Sequence, residues 1–275
     1  MSSTSRSVWA VPSYLPYLQP PLSTEMIKDA EQKIGYRLPE SYLKLLRIQN
    51  GGYIRYTLAE TPHSLICGIG PHFPSLTDFD WDSYRSDVSY KLDGLVPFDG
   101  DGHWNLCFDY REDTANPSIT YIDIECDDED HIATSFAEYL KLLHIEDDGY
   151  DFVVTEIDDI EVFKGKLEGQ MGIVFEAPDS WAHGYPTHRA PGGIEGRHEW
   201  LWVSPNLVPP GFVRSEDARY EDLKHLMEGE ALRYPELPAT SYIISATSGL
   251  HQALLESCSE LQIDLRPLSE YIANK

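Results

Sequence analysis

Residues 95–143 read LVPFDGDGHWNLCFDYREDTANPSITYIDIECDDEDHIATSFAEYLKLL, and their pattern decides the fold. Leu95–Phe98 is a short apolar run that stops at Asp99-Gly100-Asp101-Gly102. That is a turn composition, because Gly accepts positive φ and Asp bonds locally to backbone. His103–Tyr110 then alternates, with Trp104, Leu106 and Phe108 on one face and Asn105, Cys107 and Asp109 on the other. After the turn at Asn116-Pro117, Ser118–Ile124 resumes the alternation through Ile119, Tyr121 or Ile122, and Ile124. Phe136, Tyr139, Leu140 and Leu143 then recur at the helical period. Three strands and a closing helix predict an α+β domain, an antiparallel sheet with packed helices.

Upstream, Val8–Leu22 is rich in Pro and aromatics and reads as an irregular arm, since proline rejects helix interiors. Ser23 or Thr24 can cap a helix that turns Met26, Ile27, Ala30 and Ile34 inward and ends at Gly35. Pro39 suits the first turn of a second helix, Glu40–Gln49, whose core face is Tyr42, Leu43, Leu45 and Leu46. Asn50-Gly51-Gly52 stops it, and Tyr53–Leu58 reads as the first strand. Thr61–Ser75 is mostly loop. Phe79, Trp81 and Tyr84 then sit among Asp78, Asp80, Asp82 and Asp87, in a short helix or lid.

The chain has 275 residues, a length that suggests about two domains. Its four cysteines are scattered with no CxxC pair, as expected of reduced, mostly buried thiols in the cytosol. Residues 1–10 lack an apolar signal region, and no run of about 18 apolar residues occurs. A cytoplasmic protein without a membrane segment is expected.

Charge is the strongest compositional signal, with a formal net of −25. It is unevenly spread. Residues 1–77 are slightly basic, whereas 78–130 hold three Lys/Arg against sixteen Asp/Glu. Direct nucleic-acid binding is disfavoured, because phosphate contacts need clustered Lys/Arg. A basic protein partner is favoured, because complementary potential steers encounter.

Two stretches carry a family resemblance. Ile34–Gly52, IGYRLPESYLKLLRIQNGG, resembles the opening helix pair of the SUKH superfamily (Smi/Knr-like), including its Leu-Pro and Asn-Gly-Gly punctuation. LVPFDGDGHWNLCFDY, NPSITYIDIE and IATSFAEYLKLL then resemble that family's strands and closing helix, in the same order. The resemblance covers about residues 20–145, and none of its motifs is catalytic. It implies an immunity protein that binds a toxin. The family also includes a fungal cell-wall regulator and viral proteins, so a regulatory or scaffold module is the runner-up.

The expected domains are residues 1–148, SUKH-like with its arm, and 149–275, a mixed α/β domain of unnamed fold, with Glu146–Gly149 as an acidic hinge. In the second, Ile157, Ile160, Val162 or Phe163, and Leu167 suggest a helix, followed by Gly169. Gly172–Glu176, Trp200–Ser204 and Ser241–Ala246 look like strands, with Arg219–Met227 and Leu250–Leu261 helical and Pro178–Arg197 loop-rich.

Candidate chemistry is thin. His183, His188 and His198 could hold zinc, but HxxxxH in a loop is not a structural-zinc spacing and no Cys lies nearby. Asp78–Asp82 lacks the Gly and Glu that a calcium loop needs at its sixth and twelfth positions, where Ser83 and Ser89 stand. There is no G-x-S-x-G elbow, no Walker A sequence and no nucleotide fingerprint. Asp99 and Asp101 could serve as acid and base, but carboxylates are abundant in this chain. No catalysis, metal or cofactor is expected; an enzyme carried by the C-terminal half is a third reading.

What remains is acidity interleaved with large aromatics, the composition of an interface with Trp and Tyr anchors and a charged rim. The expected toxin-binding residues are Asp78, Asp80, Trp81, Asp82, Tyr84, Asp99, Asp101, Glu125, Asp127 and Asp128. Trp104 and Tyr121 are expected in the sheet core instead. The expected function is stoichiometric occlusion of a toxin with a basic surface, such as a nuclease.

Overall fold

The computed structural model describes residues 7–145, 151–180, 183–194 and 197–272. The chain divides into two compact units, Met1–His144 and Ile145–Lys275. The acidic hinge expected at Glu146–Gly149 lies outside the described residues.

In the first unit, helix α1 (Thr24–Ile34) begins where Ser23 accepts a hydrogen bond from the Met26 amide and ends at Gly35 with φ 81°. A side-chain acceptor satisfies an orphan N–H at one end, and a residue without Cβ closes the other. Helix α2 (Glu40–Ile48) buries Tyr42, Leu43, Leu45 and Leu46, as the spacing predicts. Asn50 locks the exit: its Nδ2 donates to the carbonyls of Pro20 (2.7 Å) and Ile69 (2.9 Å), and its Oδ1 accepts from the Ile69 amide (2.9 Å). The strand expected over Tyr53–Leu58 contracts to β1 (Gly52–Tyr53), paired with β2 (Leu65–Ile66). Beyond it, Ile54 and Thr57 make only single bridges, to Trp9 and His144.

The main sheet is an antiparallel meander of β3 (Leu95–Gly100), β4 (Trp104–Asp109), β5 (Ser118–Asp123) and β6 (Asp128–Ala133). Helix α3 (Phe136–Leu142) follows, capped by Ser135, which accepts from the Glu138 amide at 3.2 Å. Strand β6 is an addition to the three expected strands. Its sequence DEDHIA has no apolar alternation, because it is an edge strand whose first four residues are exposed.

Both sheet faces are covered. On one, Phe98 and Phe108 meet Tyr42, Phe136 and Tyr139, with neighbouring rings 4.8–5.6 Å apart, within the range favoured for edge-to-face and offset pairs. On the other, Leu95, Cys107 and Ile122 lie under Trp81 and Leu92, with Phe79, Tyr84, Val88 and Tyr90 half-buried around them. Residues 78–92 therefore form a cover of successive turns, with no helix.

The second unit has a five-stranded sheet in the order β11–β7–β10–β9–β8, formed by β7 (Asp151–Val154), β8 (His188–Ile194), β9 (Arg197–Pro205), β10 (Tyr242–Ala246) and β11 (Leu265–Pro267). Every neighbouring pair is antiparallel. Helices α4 (Ile160–Met171) and α5 (Ser248–Glu260) supply Phe163, Leu167, Leu250 and Leu254 to a core with Phe152, Leu201, Val203 and Ile244. The strand expected at Gly172–Glu176 is absent; those residues run as an irregular connection in which only Ile173 and Phe175 are buried. The expected loop over Pro178–Arg197 instead contributes β8. Its Gly192 lies under α5, where a Cβ would sit 2.6 Å from Leu250 Cδ1, so the glycine permits the close helix–sheet approach. Arg219–Met227 is helical as expected, one α-turn over Tyr220–Leu223 followed by a 3₁₀ turn over Lys224–Met227.

Candidate functional site

A cleft of about 690 Å³ opens beside the cover in the first unit. Its lining comes from the arm and β1 (Tyr17, Tyr53), from the segment 64–84, and from the β3–β4 hairpin. Phe73, Phe79, Trp81, Tyr84 and Trp104 give it aromatic walls, while Asp78, Asp80 and Asp101 give it negative charge. Among the described residues, no Lys, Arg or His lines it. A neighbouring depression shares Tyr84 and Asp101 and adds His103 and Glu125, whose exposed side chains meet at 2.7 Å.

Of the ten residues expected to bind a partner, Asp78, Asp80, Trp81, Tyr84, Asp99 and Asp101 line the cleft, and Glu125 lies in the adjoining depression. Asp82, Asp127 and Asp128 line neither. Asp82 pairs with Arg85 at 3.0 Å, and Asp127 accepts from the Ser89 amide at 2.5 Å. Asp128 opens the edge strand β6.

Two of the ten need correction as exposed contact residues. Trp81 is 8% exposed, packs from the cover onto Leu95, Cys107 and Ile122, and donates its indole N–H to the Leu95 carbonyl at 2.9 Å. It holds the wall of the cleft in place. Asp99 is 4% exposed, because the β3–β4 register slips between Pro97 and Asp99. Such a bulge sets two successive residues against one and turns a side chain that alternation would send to the other face. Asp99 Oδ2 meets His63 Nδ1 at 2.6 Å and accepts from the amides of Ser64 and Leu65, and His63 Nε2 bonds the Tyr139 hydroxyl. It is a structural carboxylate.

Asp101 stays available as an anion. Burial pulls its carboxyl upward, but the amides of His103 (2.8 Å) and Trp104 (3.2 Å) outweigh that and hold it below the usual carboxylate range.

Asn105 was legible only as a residue on the face opposite Leu106. The structure places it in the cleft lining, 9% exposed, with no hydrogen-bond partner for its side chain among the described residues. Tyr17, Tyr53 and Phe73 were likewise not foreseen; they come from distant loops, and only the fold brings them together.

On the same strand, Asp109 accepts from Arg111 Nη2 at 2.7 Å and from the Thr120 hydroxyl at 2.9 Å. Burial alone would raise this carboxyl, but the bonds from Arg111 and Thr120 hold it below its ordinary value. A depressed carboxyl stabilises the fold above its unfolded pKa, and that contribution is lost as pH falls through the folded value. Arg111→Met should therefore shift the acid-unfolding midpoint, followed by circular dichroism, to higher pH. An unchanged midpoint would show that the pair contributes nothing to acid stability.

In the second unit His188 is buried and bonds Lys164 Nζ at 3.1 Å, and burial with that ammonium lowers its pKa. His183 is exposed and stacks on Tyr185, and the side chain of His198 lies outside the described residues. Among the described residues, no three His, Cys, Asp or Glu side chains converge as a metal set. No described helix is long and apolar enough to cross a membrane.

The first unit is thus an antiparallel α+β domain with helices on one sheet face and a concave, acidic flank on the other. The sequence profile of the SMI1 / KNR4 family (SUKH-1) matches residues 21–142, from just before α1 to the end of α3. This N-terminal domain belongs to the SUKH superfamily. No curated protein matches the chain.

Proposed function

We propose that the SUKH domain is an immunity module that neutralises a cognate protein toxin by covering a basic surface of it, without catalysis. Membership of the SMI1 / KNR4 family is consistent with an immunity-like role or with a regulatory one. The observation favouring an immunity role against a basic partner is the acidic, aromatic cleft, whose carboxylates Asp78, Asp80 and Asp101 pair with no Lys or Arg among the described residues. A toxin that acts on phosphates carries the complementary charge.

The tagged protein, recovered from its own host, should retain a protein that arrests growth when expressed alone and is harmless when co-expressed with this chain. A retained partner with no effect on growth would overturn the toxin reading. With the partner in hand, the triple reversal Asp78→Lys, Asp80→Lys and Glu125→Lys should slow association by roughly tenfold or more at low salt. These side chains are exposed, so the melting temperature should hardly move. The matched triple Asp158→Lys, Asp222→Lys and Glu230→Lys changes net charge equally in the second unit. Equal slowing by both triples would show that bulk charge alone acts and that the cleft is not the site.

A further inference from the structure

The side chain of Asn105 lines the cleft with no hydrogen-bond partner among the described residues. It is nine-tenths buried, and a carboxamide offers two N–H donors and two oxygen lone pairs. Its amide atoms are not among the polar atoms sealed away without a partner, so they face the open cleft with their hydrogen-bonding capacity free for a ligand there. The hairpin makes room for this side chain: a Cβ on Gly100, also in the lining, would sit 2.3 Å from Asn105 Oδ1. The same cleft has aromatic walls and four carboxylates, of which Asp99 is engaged with His63 and Asp78, Asp80 and Asp101 are not paired with a cation, and among the described residues no Lys, Arg or His lines it.

We propose that this cleft is a guanidinium-binding site, in which an arginine side chain of the protein partner lies against Phe79 or Tyr84, faces Asp78, Asp80 and Asp101, and donates to Asn105 Oδ1. The chemistry selects arginine. A guanidinium is planar, stacks on aromatic faces and carries several N–H donors in a fixed fork, so one group can serve a ring, a carboxylate and an amide oxygen together. An ammonium is a strongly hydrated point charge and gives up more water to enter an aromatic cleft. The volume lies within the usual range for small-ligand sites, large enough for a side chain together with the backbone that carries it.

The inference rests on the binding role proposed above but is tested without the partner. The full chain is titrated with the peptide Gly-Arg-Gly-Arg-Gly, and with versions in which lysine or citrulline replaces arginine. Saturable binding of the arginine peptide is expected on the order of millimolar. Citrulline, which keeps the shape and loses the charge, should weaken it by roughly tenfold or more. Asn105→Ala should also weaken it by about tenfold. Asp82→Asn, adjacent but outside the lining, should leave it unchanged. Should Asn105→Ala prove unfolded, the side-chain amide resonance of Asn105 in the wild-type protein supplies the reading, because it must shift as the arginine peptide saturates. Absence of binding, equal binding of the arginine and citrulline peptides, or an unmoved Asn105 resonance would each overturn the site. Equal binding of the lysine peptide would overturn the guanidinium assignment. A harmless partner from the host would overturn the immunity reading alone and leave these peptide results standing.

Discussion

Asp99→Ala is expected to destabilise the N-terminal unit by about 3–5 kcal/mol, far more than the loss of an exposed carboxylate would. The carboxylate is a hub. Its Oδ2 serves His63 and the amides of Ser64 and Leu65, and its Oδ1 accepts from the Gly100 amide at 2.9 Å. Through His63 it also reaches Tyr139 on α3, whose phenol is pushed up by burial and, secondarily, by Asp99, and so stays neutral. Alanine would leave several buried donors without an acceptor, each at the cost of its lost hydration. Urea unfolding monitored by tryptophan fluorescence measures the change. A loss below about 1 kcal/mol would mean that the carboxylate is solvated, returning Asp99 to the acidic surface where the sequence pattern had put it.

Leu46→Ala is the second large effect, expected at about 2–5 kcal/mol from lost apolar transfer and an incompletely collapsed cavity. Leu46 is 1% exposed on the inward face of α2. The rings of Tyr42, Phe98, Phe108, Phe136 and Tyr139 interlock in the same core, and such an array cannot readily shift to fill a void. Thermal or urea unfolding of the variant checks this. A cost below about half a kcal/mol would mean that the helix face has been misassigned.

Features set by local chemistry were legible in the sequence. The Ser23 cap, the Gly35 stop, the α2 core face and the alternation of β4 and β5 each depend on neighbours a few residues apart. Features set by long-range geometry were not. The bulge at Asp99 breaks the two-residue period without leaving a compositional mark. Trp81 looked unplaced because its apolar partners, Leu95, Cys107 and Ile122, lie across a sheet that periodicity cannot assemble. Strand β8 reads as loop because Pro191, Gly192 and Gly193 carry turn chemistry, whereas in the fold Gly192 yields space to α5. For the candidate site, the acidic and aromatic bias of 78–101 was legible, and the fold gathers Asp78, Asp80, Tyr84 and Asp101 of that stretch into one cleft. Asn105 was beyond reach, since only the folded hairpin shows that its amide lacks a partner.

The acidic edge strand β6 has a consequence for self-recognition. Its outer backbone groups offer a second copy of the chain a template for extending the sheet, the usual first step of edge-to-edge aggregation. Asp128, Glu129 and Asp130 stand exposed along it. A copy docking there would bring its own acidic run alongside, and like charges facing each other across a strand pair are repulsive. A strand bearing lysine or arginine would meet no such barrier. The same run that hides β6 from sequence periodicity thus opposes sheet extension by a second copy of the chain.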